Sequence, residues 1–105
     1  MKISEEKKIV NKGCEVYYWV CKAKEKENNN KWIIFLHGAG LDHEMFHKQL
    51  EVIPDTYNIL RWDARGHGMS VPVGDDFSVH IMLEDLLIMM KNEKIKEAIF
   101  VGHSM

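Results

Sequence analysis

Positive charge is nowhere in surplus: 14 lysines and arginines stand against 16 aspartates and glutamates, a formal net charge of −2. That balance offers no footprint for nucleic acid or another polyanion, and no such partner is expected. Long apolar runs are missing too. The greasiest stretch, Ile81 to Met90, is interrupted by Glu84 and Asp85 and is too short to cross a bilayer. Met1-Lys2-Ile3-Ser4-Glu5-Glu6-Lys7-Lys8 has no apolar segment behind it, so no signal peptide is expected there. Cysteine is nearly absent. Cys14 and Cys21 lie seven residues apart in one extended segment. The odd spacing puts them on opposite faces, about 23 Å apart at the rise of a strand, so they cannot pair. Two reduced thiols and no leader point to a cytoplasmic protein. Repeats, low-complexity tracts and internal boundaries are also lacking, and residues 1–105 read as one domain or part of one.

What is present is an alternation of β-rich and helix-patterned segments. Ile9-Val10 and Glu15 to Cys21 are separated by Asn11-Lys12-Gly13, which reads as an antiparallel hairpin with a glycine in its turn. Trp32-Ile33-Ile34-Phe35-Leu36 is a continuous apolar strand of the kind buried on both faces of a parallel sheet. Asp42 is placed to cap an α-helix from His43 to about Ile53, with Phe46, Leu50 and Ile53 along its buried face and Pro54 ending it. Tyr57 to Trp62 is the next strand. Ser78 is placed to cap a second helix running to about Asn92, with Met82, Leu83, Leu86, Leu87 and Met90 as its apolar stripe. Glu97 to Val101 is the last strand. The fold class is therefore α/β, an antiparallel hairpin followed by parallel strands with flanking helices.

Three glycine-containing loops follow the ends of the last three strands, where open α/β sheets build their sites. They are Leu36-His37-Gly38-Ala39-Gly40, Asp63-Ala64-Arg65-Gly66-His67-Gly68-Met69-Ser70, and Gly102-His103-Ser104-Met105. The last contains the opening of Gly-x-Ser-x-Gly, the pentapeptide that presents a nucleophilic serine on a sharp strand-to-helix turn. A serine hydroxyl is a weak nucleophile and needs a held, exposed position and a base. Small flanking residues let the backbone bend that tightly.

With all three motifs in this order and at these spacings, the chain resembles the amino-terminal part of the α/β-hydrolase fold, in its small single-domain serine hydrolases. The resemblance extends over essentially all 105 residues, and Phe46 falls where that family often carries an aromatic. It implies an incomplete α/β-hydrolase sheet with the hairpin at one edge. It also implies hydrolysis of a small carboxylic ester, thioester or lactone through an acyl-enzyme, with Ser104 as nucleophile. It assigns oxyanion-hole donors to the backbone N–H of Met105 and to that of Ala39, with Gly40 or Leu41 as nearby alternatives. A donor of this kind is typically worth about 3 kcal/mol of transition-state stabilisation. His37, Gly38, Gly40, Asp63 and Arg65 are expected to support the loops rather than react. No cofactor and no metal are implied.

A rival chemistry is spelled by His43-Glu44-Met45-Phe46-His47, the His-Glu-x-x-His of zinc peptidases. Its context is poor. His43 lies in the first, fraying turn of its helix, His47 falls at the edge of the buried stripe, and no third ligand is evident. Both are expected to be partly exposed surface histidines. For the serine reading, a triad acid and histidine should follow the nucleophile in sequence, and within these 105 residues only Met105 does. The expectation is an amino-terminal portion of a hydrolase domain, inert by itself, whose Ile99-Phe100-Val101 strand forms an unpaired edge.

Overall fold

The computed structural model describes residues 3–24, 31–38, 40–73 and 78–102. Strands β1 (Glu5–Asn11) and β2 (Cys14–Cys21) form the hairpin at one edge of a five-stranded sheet. Lys12 and Gly13 make its two-residue turn, both at positive φ (46° and 79°), the conformation that matches a tight turn to strand twist. Strands β3 (Trp32–Leu36), β4 (Asn58–Trp62) and β5 (Ile99–Gly102) complete the order β1-β2-β4-β3-β5. β2 runs antiparallel to β4, whereas β3 is parallel to both β4 and β5. All of β4 and all of β3 but Leu36 are buried, and β3 is the continuous apolar run expected between two covering layers. β5 is the outer strand among the described residues, and its Ile99 and Phe100 are 55% and 49% exposed.

One face of the sheet carries Ile9, Val16, Tyr18, Ile34, Leu60 and Trp62 under helix α1 (Val79–Asn92). Ser78 caps that helix by accepting the Ile81 N–H at 3.1 Å. At the far end Lys94 takes the left-handed conformation (φ 58°). The Ile95 and Lys94 N–H groups then close back on Met90 and Lys91 carbonyls, a Schellman ending without its usual glycine. Glu93, just past the helix, accepts from the Tyr18 hydroxyl at 2.8 Å and from Lys7 at 3.0 Å, tying the helix to the hairpin. The described helices include none long and apolar enough to cross a membrane.

One expectation fails here and a second fails in part, both because of partners distant in sequence. The segment after β3 is not one α-helix from His43 to Ile53 but two 3₁₀ turns, His43–Phe46 and Gln49–Val52. Asp42 does cap the first, accepting from the Glu44 N–H at 2.9 Å. An α-helix needs the His43 carbonyl for the His47 N–H, but that carbonyl accepts from Arg61 instead, and His47 bonds one residue later, to Glu44. Phe46 and Leu50 still reach the second core, with Cys21, Ile33, Phe35 and Ile59.

Helix α1 meets the sheet with part of the expected stripe, Leu86 being buried and Met82 and Met90 packing against the core, but the face is turned. Ile81, Asp85, Leu86 and Met89 are buried, whereas Leu83 and Leu87 of the expected stripe are 50% and 63% exposed. The aspartate turns the helix, because its carboxylate is held by a buried arginine, Arg65, at the edge of the core. Met89→Ala is therefore expected to cost about 2–5 kcal/mol of unfolding free energy, and Leu83→Ala about 1 kcal/mol or less, measured by urea denaturation. Equal losses would mean that α1 packs on its leucine face instead.

Candidate active site

The parallel strands bring two of the glycine loops to one end of the sheet. Phe35 pairs with Arg61 and Leu36 with Gly102, so the exits of β3, β4 and β5 are neighbours. His37 to His43 leaves β3 there, and Asp63 to Ser70 leaves β4.

The β4 loop is organised around Asp63, which is fully buried. One carboxylate oxygen accepts both the His43 backbone N–H and the His43 ring Nδ1–H, each at 2.8 Å. The other accepts the Met69 N–H at 2.8 Å. Gly68, at φ 49°, passes so close to this carboxylate that any Cβ there would overlap it. Ser70 closes the loop from the far side: its hydroxyl donates to the Asp63 carbonyl at 2.5 Å and accepts the Tyr17 N–H at 2.8 Å. Both bonding directions of that hydroxyl are used inside the fold, and it is not presented as a nucleophile.

Arg65, also fully buried, faces the helix layer. It forms a two-pronged pair with Asp85, Nε to Oδ2 at 3.0 Å and Nη2 to Oδ1 at 2.9 Å. Its remaining N–H groups donate to the carbonyls of Val73 and Asn11 at 2.7 Å and of Lys12 at 3.4 Å. A planar guanidinium with five donors suits such a convergence, where a lysine would leave carbonyls unmatched.

His37 braces the two loops against each other. Its Nε2 accepts the Ala64 N–H at 2.9 Å and its Nδ1–H donates to the Gly38 carbonyl at 2.8 Å. These bonds define a neutral tautomer, and burial pushes its pKa below the ordinary 6.5. Gly38 is buried, and its carbonyl also accepts the Leu41 N–H at 3.1 Å. Gly40 stands at φ 79°, in the region that glycine enters most easily. Ser104, Met105 and Ala39 lie outside the described residues.

The histidines of the His-Glu-x-x-His segment part company. His47 is 70% exposed beside Glu44, whereas the His43 side chain is only 13% exposed, contrary to the expectation of a surface residue. Its ring stacks on Trp19 at 3.5 Å with 15° between planes. Asp42, His43 and Asp63 hold ligand-type atoms within 4.8 Å of one another, but His43 and Asp63 already satisfy each other as a hydrogen-bonded pair. Asp85 is a residue of this region that sequence patterning passed over, and His43 was weighed there only as a metal ligand and a helix start. The available signal for Asp85 was its position four residues from both Ile81 and Met89, on what had to be the buried face.

Because the buried His37 resists protonation, the unfolded chain takes up a proton below about pH 6.5 that the folded chain refuses. Stability is expected to fall as pH drops below that value and to level off below the depressed folded pKa. In His37→Gln, whose amide oxygen can still accept the Ala64 N–H, that part of the fall should vanish. Urea midpoints between pH 7.5 and 5 check this, and an unchanged pH dependence in the variant would contradict it.

Comparison with known proteins gives a consistent family. The model of the α/β-hydrolase fold family matches residues 31–105. A non-heme chloroperoxidase of Kitasatospora aureofaciens is 28% identical over 94 residues, covering 89% of this chain and 32% of that protein. 3-Oxoadipate enol-lactonase 1 of Acinetobacter baylyi is 33% identical over 73 residues, covering 70% of this chain and 27% of the enzyme. Among solved structures, a hydrolase from Pseudomonas aeruginosa superposes with a TM-score of 0.79 at 24% identity, covering 93% of this chain and 36% of its own. The chain thus spans about a third of the length of the relatives it matches.

Proposed function

The chain belongs to the α/β-hydrolase fold family, and from that premise we propose that it carries the nucleophile-bearing part of a serine hydrolase. The reaction is cleavage of a small-molecule carboxylic ester, thioester or lactone through an acyl-enzyme. Ser104 attacks the carbonyl, and the backbone N–H groups of Ala39 and Met105 receive the charge that develops on its oxygen. The observation that carries this reading is the pairing of Leu36 with Gly102. It sets the end of β3 beside the end of β5, two residues before Ser104, so that the two loops needed for attack and oxyanion binding start from adjacent strands. The enol-lactonase relative supports including lactones in the substrate class. A cytoplasmic location is part of the same proposal.

The triad acid and histidine of such an enzyme would follow Ser104. A polypeptide of residues 1–105 alone lacks them and is proposed to be inert.

Labelling with a fluorophosphonate tests the chemistry without requiring the substrate. If coding sequence continues in frame past Met105 at the source locus, the complete product is expected to form a covalent adduct at Ser104. Ser104→Ala should abolish it, and Ser4, Ser70 and Ser78 should stay unmodified. The polypeptide 1–105 by itself is expected to hydrolyse an activated phenyl ester no faster than its Ser104→Ala variant. A folded complete protein that ignores the probe, or an adduct at Ser70, would refute the assignment.

A further inference from the structure

His43 is held at its backbone, its ring edge and its ring face. Its N–H and ring Nδ1–H converge on one oxygen of Asp63, its carbonyl accepts from Arg61 at 3.4 Å, and its ring lies flat on Trp19. The outer nitrogen, Nε2, is 3.0 Å from a carboxylate oxygen of Glu44. His43 is also the first residue of the 3₁₀ turn His43–Phe46, so the same contacts fix the point at which the loop after β3 ends.

Between His37 and His43 the chain contains Gly38 and Gly40, which hold no conformation by themselves. Among the described residues, the Leu41 N–H donates to the Gly38 carbonyl at 3.1 Å. Side chains from outside the loop hold both of its ends. His37 fixes the entrance through the Ala64 N–H, and His43 fixes the exit through Asp63.

The geometry points to His43 as a positioning residue for the loop after β3, aiming that loop's backbone N–H groups by clamping its exit to Asp63. The inference deepens the serine-hydrolase reading and rests on it for its catalytic consequence, because that loop is the one assigned an oxyanion donor. A donor displaced by a fraction of an ångström loses much of its stabilisation in the transition state and little in substrate binding.

His43→Phe keeps an aromatic ring for Trp19 and removes the Nδ1–H; His43→Asn restores an N–H donor near Asp63. In the protein expressed from its own locus, His43→Phe should slow fluorophosphonate labelling of Ser104 about tenfold. It should lower kcat on an ester by a similar factor and leave KM nearly unchanged. His43→Asn should recover most of that loss. Hydrogen exchange supplies a readout independent of activity: the Leu41 amide should exchange faster in His43→Phe, with β4 amides unaltered. Wild-type labelling rates in a folded His43→Phe protein, or unchanged exchange at Leu41, would overturn the inference. If the wild-type protein is not labelled at Ser104, the serine reading falls, and Leu41 exchange alone decides whether His43 holds the loop.

Discussion

Two opposite charges on one loop, Asp63 and Arg65, are removed from water, and most of the remaining structure is arranged around that fact. An unpaired charge in such surroundings would cost more than the net stability of a domain of this size, which is on the order of 5–15 kcal/mol. Each must therefore be met in full, and the partners come from different layers. Asp63 takes its donors from the loop after β3 and from its own loop at Met69. Arg65 takes its acceptors from helix α1, the hairpin turn and Val73. The tripeptide Asp63-Ala64-Arg65 thus couples the 3₁₀ layer, the hairpin and the helix layer through hydrogen bonds that cannot be exchanged for water. Even the residue between them takes part, since the Ala64 N–H is the one that His37 accepts. Gly68 belongs to the same constraint, as the price of bringing the chain back within reach of a buried carboxylate.

The elements whose signals are local were legible in the sequence. The hairpin and its Lys12-Gly13 turn, the apolar strand Trp32–Leu36, the strand ending at Trp62, and the caps at Asp42 and Ser78 each depend on neighbours a few residues away. The glycine loops were legible too, because backbone conformation at positions such as Gly40 and Gly68 leaves its mark in residue type. What stayed hidden depends on partners distant in sequence. Asp85 looked like one more polar residue breaking an apolar run until Arg65, twenty residues earlier, was placed beside it. The segment from His43 looked like a helix because its spacing is helical, and nothing nearby announces that Arg61 takes its first carbonyl. His43 itself was misjudged for the same reason: exposure at a helix start is a sound rule for an isolated helix, and Trp19 and Asp63 lie on other strands and loops.

The pairing of β3 with β5 also has a consequence in time. Leu36 and Gly102 are 66 positions apart (102 − 36), so their contact closes a far longer loop than the Asn11–Cys14 hairpin pair. Closing a long loop costs only slowly more with length, but it must be met by contacts that form last. Those contacts belong to β5, the outer strand among the described residues, where Ile99 and Phe100 are about half exposed. The two loop exits are therefore brought together by a pairing between strands far apart in the chain, and not by closeness in sequence.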